Sequence, residues 1–243
     1  FDQVPLVDTV IVPIGGGGLV SGVAGAIKHR ARLEGRTVRV IGVQAANASA
    51  YRPSLDKGEI VEVRTTPTIA DGIAVSRPGV LNFSMVRELV DEVITVSDDQ
   101  IAYAVLVLLE RAKQVVEPAG AVGVAAILAG AIEPSGNTVV VLSGGNIDPM
   151  MMERIISHGL SASERYLRLR IPLPDRPGQL ARISALVAEA SANVVEVLHS
   201  RHNNKVQFSQ VQLELHIETR GPEHAESVLA RLRDEGFDPQ VDF

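Results

Sequence analysis

Four consecutive glycines, residues 15–18, stand between a short apolar run and a stretch with helical periodicity that begins near Leu19. Without side chains, their backbone N–H groups can approach an anion closely. The positive end of the following helix adds to that attraction. Because one glycine would serve an ordinary tight turn and four in a row cost conformational entropy, the pattern favours a bound phosphate over a turn without a ligand.

Two common phosphate-binding fingerprints do not fit this glycine loop. The dinucleotide fingerprint needs glycines at positions i, i+2 and i+5, and from Gly15 or Gly16 the third position falls on Val20 or Ser21. The Walker A motif needs Lys and Ser or Thr after its last glycine, whereas residues 17–22 are followed by Val and Ala. A nucleotide-binding oxidoreductase is therefore disfavoured, and the loop predicts a phosphate held almost wholly by main-chain donors.

A second glycine-rich turn, Leu-Ser-Gly-Gly-Asn at residues 142–146, follows another apolar run. In an open α/β sheet, ligands bind beyond the carboxyl ends of the strands. Ser143 in such a turn can present its hydroxyl to a ring. Taken alone the motif is equally consistent with a simple turn, but two glycine-rich turns, each after a buried strand, favour a ligand site.

The elements around these turns alternate between strand and helix. Apolar, β-branched runs at residues 7–14, 37–43 and 138–142 predict strands that are covered on both faces. Helical patterns lie between them, at residues 19–33, 98–115 and 121–128. The second of these opens with Ser97 and Gln100 at capping-box spacing. The alternation predicts an α/β architecture with a parallel sheet.

The last third of the chain has a different pattern, and we place the domain boundary between residues 160 and 161. Residues 166–243 read as strand, helix, strand, strand, helix, strand, which is the ferredoxin-like βαββαβ order. Apolar and polar residues alternate strictly over residues 211–218, which indicates that one face of that strand is wet or lies at an interface.

Composition indicates a globular chain. It has 243 residues, of which 46% are apolar and 21% charged, and its mean hydropathy is +0.17. These values exclude wholesale disorder. The lack of Cys excludes disulfide scaffolds, thiolate zinc sites and a cysteine nucleophile. It also fits a reducing compartment, and we expect a cytoplasmic location.

Charge argues against several kinds of partner. A net charge of −6 and a pI near 5.5 disfavour nucleic acid, and the basic cluster at residues 28–32 is interpreted as a solvated helix end. No apolar run reaches the roughly 18 residues that cross a bilayer, so no membrane partner is expected.

None of the six histidines stands at zinc-ligand spacing from another potential ligand, so all six are interpreted as structural or surface residues. They are His29, His158, His199, His202, His216 and His224.

Four segments in chain order carry a family resemblance: residues 12–19 (VPIGGGGL), 69–72 (IADG), 117–121 (EPAGA) and 141–146 (VLSGGN). Together they resemble the threonine ammonia-lyase (threonine dehydratase) and serine racemase branch of fold-type II pyridoxal-phosphate enzymes. Residues 175–180 (DRPGQL) resemble the first loop of an ACT regulatory domain. The combination implies a threonine ammonia-lyase, with residues 1–160 forming the C-terminal portion of the catalytic domain and residues 161–243 an ACT domain.

The resemblance implies pyridoxal 5'-phosphate as cofactor and assigns roles to residues. Ser143 would hydrogen-bond the pyridine nitrogen, and Glu117 would lie near the ring. A neutral hydroxyl at the nitrogen leaves the ring less electron-withdrawing than a carboxylate would, which favours β-elimination. Glu117 is equally explained as a helix-start acid beside Pro118. The phosphate would be bound by the loop residues Gly15, Gly16, Gly17, Gly18 and Leu19.

In the family, threonine is converted to 2-oxobutanoate and ammonia with the help of a Lys that forms a Schiff base. That Lys and the loop for the substrate carboxylate lie upstream of the glycine loop. None of this chain's lysines, which are Lys28, Lys57, Lys113 and Lys205, stands in the family context. We therefore expect a chain that begins partway through the fold and is inactive alone. The alternative is a truncated, inactive chain that acts as an amino-acid-binding regulatory module.

The resemblance also bears on metal binding. Serine racemase relatives carry acidic metal ligands after the strand that ends here near Val43, whereas residues 44–50 contain no carboxylate. No metal is expected there, and the ammonia-lyase interpretation gains over the racemase one.

ACT domains pair across chains and bind small amino acids between them, so the resemblance implies a homo-oligomer with isoleucine or valine as effector. Gly178 frees backbone N–H groups near a helix start, which suits a carboxylate. Asn193 is explained at least as well as a turn residue before a strand. The implied effector residues are Asp175, Gly178, Gln179, Leu180 and Asn193.

Overall fold

The structure is a computed structural model that describes residues 1–200 and 210–242. His202 and Lys205 lie outside the described residues. The chain divides into two compact units, Phe1–Ile156 and Ser157–Phe243, whereas the sequence placed the boundary four residues later. Among the described residues, no helix is both long enough and apolar enough to cross a membrane.

The first unit contains a four-stranded parallel sheet with the order β3-β2-β1-β4. Its strands are β1 (Val7–Pro13), β2 (Arg39–Ala45), β3 (Glu92–Val96) and β4 (Asn137–Val140). Its helices are α1 (Gly18–Leu33), α2 (Tyr51–Lys57), α3 (Val80–Leu89), α4 (Asp98–Val107), α5 (Pro118–Leu128) and α6 (Pro149–Ala162), the last of which runs across the division into the second unit. The predicted parallel α/β architecture is confirmed.

Both faces of this sheet are covered, which explains the nearly continuous apolar runs of β1 and β2. Ile11 and Ile41 pack on one side in a buried cluster with residues of α4 and α5. Val10 and Val40 point to the other side, into a cluster with residues of α1 and α3. Since side chains alternate along a strand, the two clusters take alternate residues of the same strands.

The predicted helix over residues 98–115 is only partly regular. The capping box between Ser97 and Gln100 is present, with both reciprocal hydrogen bonds. The α-helix then ends at Val107 and continues as a π-helical segment, Leu108–Ala112. Lys113 follows with a φ of 57°, a left-handed conformation that stops the helix.

The second unit has the predicted βαββαβ order, with an antiparallel sheet of order β6-β7-β5-β8. Its elements are β5 (Tyr166–Pro174), α7 (Gln179–Glu189), β6 (Asn193–Ser200), β7 (Gln210–Glu218), α8 (Pro222–Asp234) and β8 (Gln240–Asp242). The apolar residues of β5 and β7 form a core with those of α7 and α8.

The polar face of β7 is not uniformly wet. His216 is only 6% exposed, because the Tyr166 ring packs edge-on against it and the Tyr166 hydroxyl lies 3.0 Å from its Nδ1. Glu196 and Glu214 also contact the imidazole, each at 3.1 Å. His216 is thus covered by neighbours within its own unit, while Glu218 on the same face is exposed.

Candidate functional site

The glycine loop and the Ser143 turn lie at the same edge of the parallel sheet. β1 and β4 are adjacent and parallel, with Ile11 paired to Val140. Neighbouring strands are about 4.8 Å apart, so the segments that leave their carboxyl ends start side by side. This edge is where ligands bind in open α/β sheets.

All four segments that carry the family resemblance meet at this edge. A Cβ added to Gly15 would lie 3.1 Å from the Cα of Ile73, the last residue of a short 3₁₀ helix, Asp71–Ile73, that overlaps residues 69–72. A Cβ on Gly72 would lie 3.2 Å from the Cβ of Ala119. A Cβ on Gly120 would in turn lie 3.1 Å from the backbone N of Gly144. The glycines therefore let four backbone segments approach each other closely.

Gly17 is the residue of the loop that most strictly requires glycine. It is buried and has a φ of 94°, which disfavours any residue with a side chain. An added Cβ would lie 1.9 Å from the Tyr51 hydroxyl oxygen and 2.9 Å from the Cβ of Asn82. Gly17 forms the N-cap of α1 without a side-chain cap, and the first turn of α1 contains no acidic residue. The amides at this helix start are therefore available to an anion.

The other loop residues are more open. Gly15 and Gly16 are half-buried, while Gly18 and Leu19 are exposed, Leu19 to 47%. Within the part of the chain that the structure describes, the backbone N–H groups of residues 15–20 donate to no protein acceptor. A run of backbone donors that leads into a helix start is the arrangement that binds phosphate.

Glu117 and Ser143 come together through Gly144. The Glu117 N–H donates to the Gly144 carbonyl at 3.0 Å. Glu117 occupies the N-cap position of α5, as the helix-start interpretation expected, but its side chain makes no capping hydrogen bond. Its carboxylate lies where a Cβ on Gly144 would come within 2.3 Å of Oε1. The exposed Ser143 is the preceding residue of that turn.

Gln44 is the first residue of the segment 44–50, in which the racemase-type metal ligands would fall. Its side chain is fully buried, and its Oε1 accepts a hydrogen bond from the Tyr51 N–H at 3.0 Å. Its Nε2 donates to the Ala48 carbonyl at 3.4 Å. A neutral amide thus links the end of β2 to the start of α2. Residues 1–200 and 210–242 contain no group of three His, Cys, Asp or Glu side chains suited to a metal ion.

Two of the three described lysines, Lys28 and Lys113, are held by hydrogen bonds within the first unit. Lys28 pairs with Asp91 at 2.6 Å and donates to the Val38 carbonyl. Val38 precedes β2, so Lys28 lies toward the opposite edge of the sheet from the glycine loop. Lys113 donates to the Glu110 carbonyl at 2.8 Å, and Lys57 lies in the last turn of α2.

In the second unit, the loop between β5 and α7 borders a shallow cavity of about 210 Å³. Asp175, Gly178, Gln179 and Leu180 all line it, together with apolar residues of β5 and β7. Gly178 has a φ of 89° and forms the N-cap of α7. Four of the five predicted effector residues are therefore brought together.

Asn193 lies elsewhere. It begins β6, pairs with Glu218 and donates to its carboxylate at 3.2 Å. Glu218 also pairs with Tyr166 at the start of β5, whereas the loop follows Pro174 at the end of β5. At roughly 3.3 Å per residue, Asn193 and the loop are about 25 Å apart along the sheet of one chain.

Three residues at the glycine loop were missed by the sequence analysis: Tyr51, Gly79 and Asn82. All three donate hydrogen bonds to the Gly16 carbonyl. They come from α2 and the start of α3, and no local pattern marks them as neighbours of the loop.

Taken together, the arrangement fits a phosphorylated heteroaromatic ring. The loop amides suit the phosphate because they lead into the positive end of α1. A Ser hydroxyl at the neighbouring strand end suits a ring nitrogen, since it can donate or accept a hydrogen bond.

Comparison with known proteins agrees with this geometry. A family model described as pyridoxal-phosphate dependent enzyme matches residues 1–144, more than half of the chain. The chain is 45% identical over 238 residues to an L-threonine ammonia-lyase of Geobacter sulfurreducens, which covers 98% of this chain and 58% of that protein. It is 43% identical over 242 residues to an L-threonine ammonia-lyase of Thermotoga maritima, covering 99% and 59%.

The chain thus spans about three fifths of the length of these curated relatives. Among solved structures, it is similar to the processed form of threonine deaminase isoform 2 from Solanum lycopersicum, with a TM-score of 0.59 and 30% identity. That match covers 65% of this chain and 46% of the other.

Proposed function

This chain belongs to the family of pyridoxal-phosphate dependent enzymes, and on that premise we propose that it is part of an L-threonine ammonia-lyase. Such an enzyme converts L-threonine to 2-oxobutanoate and ammonia. The observation that carries the proposal is the glycine loop beside the Ser143 turn at one sheet edge. The two relatives named for this activity support it, because their similarity extends over both units.

Pyridoxal phosphate, when bound, supplies the electron sink for the elimination. The loop amides and the start of α1 would bind its phosphate and thereby set the position of the ring. Ser143 would hydrogen-bond the ring nitrogen and, as a neutral hydroxyl, would not hold a proton there as a carboxylate partner does. This favours loss of a β-substituent over chemistry that needs a more electron-poor ring.

Glu117 would place a carboxylate beside the ring, because the absence of side chains at Gly72 and Gly144 leaves room for it. We further propose that the Lys that links covalently to the cofactor comes from sequence outside this chain. Support comes from the hydrogen bonds of Lys28 and Lys113, which lead to other parts of the fold.

The activity is tested on the protein that carries this chain. With pyridoxal phosphate and L-threonine, we expect formation of 2-oxobutanoate, measured by its reduction with a lactate dehydrogenase and NADH. The 243-residue chain alone should give no product. After borohydride treatment, mass spectrometry should locate the cofactor on a Lys outside this chain. Labelling of any of its four lysines, or turnover by the chain alone, would contradict the proposal. Inactivity of the larger protein would favour the amino-acid-binding module instead.

We propose the second unit as an ACT regulatory domain that binds a small amino acid, with isoleucine or valine as effector. The βαββαβ order and the cavity beside Gly178 support this. The cavity of about 210 Å³ is smaller than the roughly 300–1,000 Å³ of pockets for drug-sized ligands. It therefore suits a molecule of amino-acid size, whose carboxylate would meet the N-terminal amides of α7.

The position of Asn193 at the other end of the sheet favours a site shared between two chains. Within one chain, Asn193 cannot reach a ligand held by the 175–180 loop. We therefore propose a homo-oligomer in which the loop of one protomer faces Asn193 of its partner, and we retain the expected cytoplasmic location as part of the proposal.

Effector binding should raise the thermal midpoint of the protein. At 100 times its Kd, a ligand that binds only the folded state adds about 2.7 kcal/mol to the free energy of unfolding. We expect such a shift with L-isoleucine or L-valine in differential scanning fluorimetry and none with D-isoleucine. Leu180→Glu should remove the shift, because a carboxylate in the cavity repels that of the effector.

Leu128→Glu is the matched control, since Leu128 lies outside the cavity and is 43% exposed, against 40% for Leu180. It should leave the shift unchanged. The effector site is refuted when no aliphatic L-amino acid moves the midpoint.

A further inference from the structure

The carbonyl oxygen of Gly16 is the most heavily bonded atom of the glycine loop. It accepts a hydrogen bond from the Tyr51 hydroxyl at 3.0 Å and another from the Asn82 side-chain amide at 3.0 Å. The backbone N–H of Gly79 donates a third at 3.1 Å. Three donors on one carbonyl fix the direction in which it points.

The direction of this carbonyl determines the direction of the next amide. The peptide group between Gly16 and Gly17 is trans, and in a trans peptide group the C=O and the following N–H point in opposite directions. Because the donors draw the Gly16 carbonyl toward α2 and α3, the Gly17 N–H points away from those helices. Hydrogen bonds to the carbonyl also polarise the peptide group and make that N–H a better donor.

The Tyr51 hydroxyl remains a hydrogen-bond donor to the Gly16 carbonyl at neutral pH. Tyr51 is fully buried, and burial raises the pKa of its hydroxyl to about 12, so the proton stays on the oxygen at any working pH. Its own N–H is fixed by Gln44 at the end of β2. Its hydroxyl also occupies the space that a side chain at position 17 would need.

Asn82, in α3, forms one hydrogen bond to the loop and one to α1. Its side-chain amide bonds Gly16, while its backbone carbonyl accepts a hydrogen bond from the Ser21 hydroxyl at 3.4 Å. The loop is therefore attached to α2 and α3, two helices that lie further along the chain than the helix it begins.

We propose that Tyr51 and Asn82 are positioning residues that orient the Gly17 N–H toward the cofactor phosphate. They act through the backbone, without contact to the ligand. The inference rests on the proposed assignment of the glycine loop to that phosphate, and it adds the residues that determine how well the loop binds.

The test compares pyridoxal phosphate with pyridoxal, which lacks the phosphate, on the protein that carries this chain. Binding is measured by the change in absorbance of the added vitamer. In Tyr51→Phe, affinity for pyridoxal phosphate should fall about 3- to 10-fold, the effect of one lost hydrogen bond. Affinity for pyridoxal should stay within about twofold of wild type, because the loop is proposed to contact only the phosphate. Asn82→Ala should behave in the same way, and the phosphorus-31 resonance of the bound cofactor should shift in both variants.

Ser54→Ala is the matched control. Ser54 is a fully buried hydroxyl on the same helix as Tyr51, but it bonds the Ala50 carbonyl and the Val61 N–H instead of the loop. Its loss should lower the thermal midpoint and leave the ratio of the two affinities unchanged. A Tyr51→Phe variant with an unchanged ratio overturns the inference while the loop assignment stands. Wild-type protein that binds both vitamers equally overturns the loop assignment itself.

Discussion

Replacing Gly17 by Asp should weaken pyridoxal phosphate binding by at least about 100-fold. A side chain in the left-handed conformation costs about 1–2 kcal/mol, and φ at this residue is 94°. The added Cβ would also have to displace the buried Tyr51 hydroxyl, which lies 1.9 Å from its position. The carboxylate would then repel the phosphate. Equilibrium titration followed by absorbance measures the loss, and circular dichroism reports whether the fold is retained.

The matched control for this variant is Gly22→Ala, in the helix that the loop begins. An added Cβ at Gly22 meets no atom within 4 Å. Cofactor affinity should therefore be unchanged, and the free energy of unfolding should rise by up to about 1 kcal/mol, since Ala favours a helix over Gly. A folded Gly17→Asp protein with wild-type affinity would show that the loop does not bind the phosphate.

Replacing Gly120 by Leu should separate α5 from the Ser143 turn. A Cβ at this position already lies 3.0 Å from Val116 and 3.1 Å from both the N and the O of Gly144. The larger side chain should cost about 1–3 kcal/mol in stability and displace both Glu117 and Ser143. A shift of about 1 Å in such groups can lower turnover about 100-fold, which initial rates with L-threonine would measure.

Ala129→Leu provides the comparison, because it adds the same side chain to an exposed residue at the end of α5. It should change neither the rate nor the thermal midpoint. Should Gly120→Leu retain both a normal midpoint and normal turnover, the close approach of α5 to the turn would have no role in the site.

The parts of the fold that could be predicted from the sequence are those with strong local patterns. β1 and α1 follow from an apolar run, four glycines and a helical period, and the capping box at Ser97 follows from residue types at fixed spacing. The second unit was predicted well because its strands alternate and its helices have one apolar face. In both units, burial on a regular face leaves a periodic signal in the chain.

Other elements leave little such signal. β3 is an outer strand of only five residues, paired on one side by β2. Only Val93 and Val96 of β3 are buried, so its sequence carries no clear strand pattern and it was not recognised. The π-helical segment differs from an α-helix by its hydrogen-bond register, which residue types do not encode locally.

The contacts of Gly16 show why the details of the site were also missed. Tyr51 is 35 residues away from it in the chain and Asn82 is 66 residues away. Folding brings these side chains to the loop, and a reading of neighbouring residues cannot find them. The glycines themselves were identified because their chemistry is continuous in the sequence.

The way the loop is held makes it a site of constant charge. Backbone amides carry fixed partial charges, the Asn82 amide does not ionise, and Tyr51 loses its proton only at about pH 12. Across neutral pH, the electrostatic field that these groups present to an anion is therefore the same. Any pH dependence in how the loop itself binds phosphate must then come from the ligand, whose phosphate ester loses its second proton at about pH 6.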